Sequence, residues 1–202
     1  MEDLSRLEQT LALVREAGVL RPRDLKARGL SREYLRRLEQ RGLILRSSRG
    51  LYMPADADLT ESHSLAEACK RVPHGVICLL SALEFHILTT QAPFEVWMAI
   101  DVKARLPQVV YPPLRIFRCS GAAFSYGIEE HWIEGVLVKV YTPAKTVADC
   151  FKYRNKIGTD VALEALKDVR RKRLATLDDV YRAAKVCRVD RIMQPYLEGM
   201  VA

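Results

Sequence analysis

The side chains best placed for chemistry lie near the amino end. On a helix, Arg36, Arg37 and Gln40 leave on one side, flanked by Arg32 and Arg41. Such a guanidinium can donate two hydrogen bonds to a guanine edge, and a glutamine amide can bind adenine in the same way. Arg46 and Arg49 flank Ser47-Ser48, where contact with phosphate is the simpler chemistry. Two other constellations could carry reactions. Asp101-Val102-Lys103 closes an apolar run, and an acid-x-lysine at a strand end, with an upstream acid such as Glu84, is how metal-dependent nucleases hold Mg²⁺ and a water. The same residues are ordinary where a strand meets solvent, and Glu84 stands three places after Ser81, where it caps its own helix. Lys145, Asp149 and Lys152 share one face of a helix that starts at Pro143. They form a candidate functional face, with Lys145 near enough to the helix N-terminus to meet a phosphate. The plainer reading is an i,i+4 surface ion pair.

Other reaction types find no residues to carry them. There is no Gly-rich phosphate loop and no Gly-x-Ser-x-Gly elbow. His63, His74, His86 and His131 lack ligand spacing, and the cysteines (Cys69, Cys78, Cys119, Cys150, Cys187) contain no Cys-x-x-Cys pair. We therefore expect no catalytic residues, no metal, no cofactor and no enzyme. The cysteines read as reduced thiols, mostly in a core, and the chain as cytoplasmic. No apolar run approaches the ~18 residues of a membrane span, and no signal peptide is visible at the start of the sequence.

Charge singles out one segment. Between Arg21 and Arg49 ten bases face three acids (Asp24, Glu33, Glu39), an excess of seven. The net charge of the chain is +7, so the remainder sums to zero. A basic stretch this concentrated is the electrostatic footprint expected of a nucleic-acid partner.

The elements that must position these side chains can be read by period and punctuation. Leu4, Leu7, Leu11 and Val14 recur at helical spacing up to Gly18. A second helix starts at Arg21-Pro22 and ends at Gly29. A third starts from Ser31 as N-cap and ends at Gly42. Leu35 and Leu38 share its inner face, with Tyr34 beside them, so arginine and glutamine face outward. Leu43-Ile44-Leu45 and Leu51-Tyr52-Met53 around a polar, Gly-containing link predict a β-hairpin. Three helices followed by a basic-tipped hairpin predict a winged helix-turn-helix over residues 1–56, with the third helix in the major groove of double-stranded DNA and the wing along the backbone.

Pro54 to Asp58 reads as a linker into a second domain, 57–202. It should hold a helix at 62–72, a strand from Val76 to Leu79, and a short helix opened by a capping box at Ser81–Glu84. Strands follow at Val96–Ile100, Leu114–Arg118, Ile128–Ile133 and Val136–Tyr141, then helices at 143–156, 160–173, 177–186 and 189–200. Thr142-Pro143 and Thr176 to Asp179 mark two of the helix starts. The fold class expected is α+β: a winged helix-turn-helix, then an α+β domain with a mostly antiparallel sheet and C-terminal helices.

The chain resembles the AbiEi-type antitoxins, transcriptional regulators of bacterial abortive-infection (type IV toxin–antitoxin) systems. The resemblance rests on Arg23-Asp24-Leu25, on Tyr34 to Leu38, on Arg41-Gly42-Leu43 and on Arg49 to Tyr52. In the second domain it rests on Cys78 to Leu83 and on Thr142 to Phe151. It implies a repressor of its own operon that binds inverted-repeat operators. The neighbouring gene would encode a nucleotidyltransferase-like toxin, opposed without a stable complex. An interaction protein whose C-terminal domain binds a protein or nucleotide is the alternative reading.

Overall fold

The computed structural model describes residues 2–200, with side chains from Ser5 onward. The chain divides into two compact units: residues 1–71 with 132–137, and residues 72–131 with 138–202. No described helix is long and apolar enough to cross a membrane.

In the first unit, α1 (Glu2–Ala17), α2 (Pro22–Lys26) and α3 (Glu33–Gln40) precede β1 (Ile44–Ser48) and β2 (Leu51–Pro54). Leu7, Leu13, Val14, Leu25, Leu35, Leu38 and Ile44 are buried together, with Leu11 and Tyr34 packed at the margin. Leu4, expected on the same stripe, has its side chain outside the described residues. Arg21 caps α2. Its backbone N–H donates to Asp24 Oδ2 (3.1 Å), and its guanidinium pairs with the same carboxylate (3.2 Å). Burial would raise the Asp24 pKa, but these bonds and the neighbouring cations hold it below the usual carboxylate value. The Ser31 hydroxyl accepts the Glu33 N–H (3.2 Å) at the start of α3. Its far end closes as a Schellman motif: the Leu43 N–H donates to Leu38 and the Gly42 N–H to Glu39. Gly42 adopts φ +68°, the left-handed C′ conformation that glycine reaches without strain.

Strands β1 and β2 pair antiparallel, with a register shift between Leu45 and Ser48. That bulge breaks the inside–outside alternation, so Leu45 and Arg46 are both exposed. A short bridge from Leu20 to Tyr52 joins the α1–α2 link to the wing. Then comes α4 (His63–Arg71).

In the second unit, β3 (Val76–Ile77), α5 (Leu79–Phe85), β4 (Val96–Asp101), β5 (Leu114–Cys119), α6 (Ala122–Ser125), β6 (Ile128–Ile133) and β7 (Val136–Tyr141) follow, the last two strands reaching into residues grouped with the first unit. The strands form one sheet, ordered β5-β4-β3-β7-β6. Strands β3 and β4 pair antiparallel, while β3/β7 and β4/β5 pair parallel. The helices α7 (Pro143–Lys152), α8 (Arg154–Ile157), α9 (Thr159–Arg171), α10 (Leu177–Cys187) and α11 (Asp190–Glu198) close the chain. The α+β class expected from the sequence holds, but the sheet is mixed rather than mostly antiparallel, because β4 and β7 each run beside a parallel neighbour reached through a crossover.

Three local expectations change. The strand at 76–79 stops at Ile77, because Cys78 caps α5 and Leu79 opens it with φ +48°. Ser81 is therefore inside the helix and makes no capping box. Its hydroxyl accepts the Trp97 N–H of β4 (3.0 Å) instead. The single helix expected at 143–156 breaks at Tyr153 into α7 and α8. By contrast, the cap at Thr176 forms as expected: its Oγ1 accepts the Asp179 N–H (3.1 Å), and Asp179 Oδ2 accepts the Thr176 N–H (3.0 Å). Thr176→Ala is expected to cost about 0.5–2 kcal/mol in urea unfolding. A loss under 0.2 kcal/mol would mean that the cap is idle.

Candidate nucleic-acid interface

Leu35 and Leu38 are each 1% exposed, and they pin α3 by one face. Arg32, Arg36, Arg37, Gln40 and Arg41 are all exposed. Arg36 and Gln40 stand one turn apart. Arg36 pairs with Glu33 (3.5 Å), and Arg37 lies near the same carboxylate (3.8 Å) and over the Tyr34 ring. Pairs this exposed are worth a few tenths of a kcal/mol, so they yield readily to a phosphate or base.

The wing basic residues separate. Ser48 pairs with Leu51 across the turn Arg49-Gly50, so Arg49 is at the tip and Arg46 lies back along β1. Gly50 takes φ +75° to close the turn. Both arginines are exposed. Among the described residues, Arg32, Arg41, Arg46 and Arg49 form no ion pair. The uncompensated charge of the segment therefore sits on α3, on the wing and on Arg23 and Lys26 of α2.

Two features were not singled out by sequence reasoning. The first is a cleft of about 320 Å³ lined by Pro22, Arg23, Lys26, Leu30 and Arg32. Asp24, the acid nearest in sequence, is turned to Arg21 and to Lys70 (3.5 Å), which leaves three cations around an open concavity. Their charges were visible in the sequence; their convergence was not. The second is a brace under the wing. Arg71 Nη2 donates to Ser48 Oγ (2.7 Å) and to the Arg49 carbonyl (3.1 Å). Ser48 Oγ in turn donates to the buried Glu67 (3.2 Å). His63 joins Glu67 (3.7 Å) to Glu134 (2.6 Å), and Thr60 donates twice to Glu134 (2.9 Å each). No local pattern links Ser48 to residues 19 and 23 positions away.

The candidate face on α7 is not a face. Lys145 is 0% and Asp149 3% exposed, whereas Lys152 is exposed. The helix is enclosed by α5, α9, α10 and α11, so the side opposite Ala144 and Val147 meets protein, not water. Lys145 Nζ lies 2.5 Å from Asp149 Oδ2 and over the Tyr141 ring, and the Cys187 thiol donates to Asp149 Oδ1 (3.3 Å). Burial pushes that thiol up to about 12. All five cysteines are unbridged and buried, Cys187 included.

Asp101 Oδ1 accepts the Lys103 N–H at 2.8 Å, an Asx turn that ends β4. Among the described residues, no group of three or more His, Cys, Asp or Glu is placed to hold a metal ion.

Residues 8–55 match the family model described as a transcriptional regulator, AbiEi antitoxin, so over that segment the resemblance read from the sequence holds. The match covers the helix-turn-helix and the wing and stops before α4. No curated protein matches the chain. Among solved structures, the crystal structure of the RV2827C protein from Mycobacterium tuberculosis is similar in fold. It shares 12% identity at a TM-score of 0.59, over 90% of this chain and 71% of that one.

Proposed function

We propose that the protein is a sequence-specific transcriptional repressor that reads duplex DNA with α3 and grips the backbone with its wing. The observation that carries this is the outward row of Arg36, Arg37 and Gln40 over buried Leu35 and Leu38, flanked by Arg32, Arg41, Arg46 and Arg49, which are exposed and form no ion pair among the described residues. Arg36, Arg37 and Gln40 reach base edges. Arg32 and Arg41 meet phosphates, and Arg46 and Arg49 work from the wing. Residues 1–56 supply the DNA-reading part and 57–202 the remainder. The family match supports a finer reading: an autoregulating antitoxin of a type IV system, acting in the cytoplasm on an inverted-repeat operator. Its toxin partner is nucleotidyltransferase-like and is opposed without a stable complex. The five unbridged thiols suit a reducing compartment.

Footprinting on the DNA upstream of the protein's own gene tests the reading. A protected inverted repeat, bound at least a hundredfold more tightly than a scrambled duplex, is the expected result. Equal binding of both, or none, would sink it. The Arg23–Lys26–Arg32 cleft adds a prediction. Arg23→Ala and Lys26→Ala should each weaken operator and scrambled duplex alike and lower the salt-dependence slope by about one. Unchanged slopes would show that no phosphate occupies the cleft.

A further inference from the structure

We infer that Arg71 is a positioning residue for the wing: it fixes the direction in which Arg49 leaves the hairpin turn. This rests on the DNA-binding reading above. A two-stranded hairpin is marginal by itself in water, and the Arg49-Gly50 turn carries a glycine at φ +75°, the residue type with most backbone freedom to lose. Something outside the hairpin must therefore hold its tip. Arg71 does so at two points, the Ser48 hydroxyl and the Arg49 carbonyl.

The brace is itself held. Glu67 stands one helical turn before Arg71 on α4 and is 0% exposed. A carboxylate buried that deeply needs partners, and it takes the Ser48 hydroxyl and His63. Ser48 thus uses its oxygen for Arg71 and its hydrogen for Glu67, which leaves it one rotamer that satisfies both. Arg71 Nε is buried without a hydrogen-bond partner. It is Nη2, bonded to Ser48 Oγ and to the Arg49 carbonyl, that commits the side chain to the hairpin. Arg49 itself stays exposed. The division of labour is that Arg49 touches the phosphate and Arg71 holds Arg49. An unbraced tip must be ordered at the moment of binding, at a cost of about one residue's backbone entropy, which corresponds to roughly tenfold in affinity.

A double-mutant cycle in the full-length protein tests this, with operator titrations at several salt concentrations and a thermal melt of each variant as the fold check. Arg71→Ala is expected to weaken binding roughly tenfold, and less than twofold in an Arg49→Ala background, because the residue it positions is gone. Ser48→Ala, which changes no charge, should weaken binding roughly threefold and should also lose its effect beside Arg49→Ala. It decides the matter by itself if Arg71→Ala does not fold. Additive costs of Arg71→Ala and Arg49→Ala, each lowering the salt slope by about one, would show that Arg71 meets phosphate directly and would overturn the proposal. So would a Ser48→Ala protein that binds like wild type. A wild-type chain that binds no duplex would remove the DNA-binding reading itself, an outcome distinct from additivity in a chain that binds.

Discussion

Lys145→Ala is expected to destabilise the protein by about 3–5 kcal/mol, because it strands a carboxylate in the core. Asp149 is 3% exposed. With Lys145 gone, its remaining side-chain partner among the described residues is the weak thiol donor of Cys187, at 3.3 Å. Asp149→Ala should cost a similar amount by stranding the ammonium against Tyr141. Replacing both, Lys145→Met with Asp149→Leu, should recover most of the loss, since an apolar pair of similar volume carries no desolvation penalty. The sign of the pH dependence follows from Lys145. Burial lowers its pKa, but the Asp149 carboxylate outweighs that, and the net shift is upward from 10.5. A group whose pKa is raised on folding contributes stability below its unfolded pKa and loses it as pH rises through the folded value. The pair should therefore be fully effective at neutral pH and weaken only above about pH 10.5. Urea unfolding at pH 7 and thermal melts up to pH 11 would check both statements. A Lys145→Ala loss below 1 kcal/mol would mean that the pair contributes nothing in its buried setting.

What could be read from the sequence was local. Leu35 and Leu38 against Arg36 and Gln40 give the face of α3, because a surface helix carries its orientation in a 3.6-residue period. Gly42 and Thr176 mark helix ends through interactions closed within a few residues. Ser81-Ala82-Leu83-Glu84 has the same cap pattern and fails. The Ser81 hydroxyl finds its partner at Trp97 on β4, and a tertiary hydrogen bond overrides the local one. The i,i+4 spacing of Lys145 and Asp149 was equally visible. Spacing says that two side chains meet; it does not say whether water reaches them. The answer came from four other helices packed around α7. The wing brace and the Arg23–Lys26–Arg32 cleft were hidden for the same reason, since each exists only once separate segments converge.

Arg36→Ala is expected to cost about 1–3 kcal/mol of operator affinity and to relax preference at one base pair, while leaving binding to scrambled duplex nearly unchanged. Arg36 and Gln40 lie one turn apart on the exposed side of α3, and a bidentate contact from either to a base edge is lost completely on truncation. Freeing Glu33 from its 3.5 Å pair with Arg36 removes little, since that pair is solvent-exposed. Gln40→Ala should behave the same way at a different base pair. Arg49, at the hairpin tip, should behave in the opposite way. Arg49→Ala should weaken operator and scrambled duplex alike and lower the salt slope by about one, because a phosphate contact releases the same counterion on any sequence. The ratio of operator to scrambled affinity therefore falls about 5- to 150-fold in Arg36→Ala and stays within twofold of wild type in Arg49→Ala. Titrations of both duplexes across several salt concentrations decide the matter. If Arg36→Ala weakens both duplexes equally and Arg49→Ala erases the discrimination, the wing reads the sequence and α3 serves as the clamp.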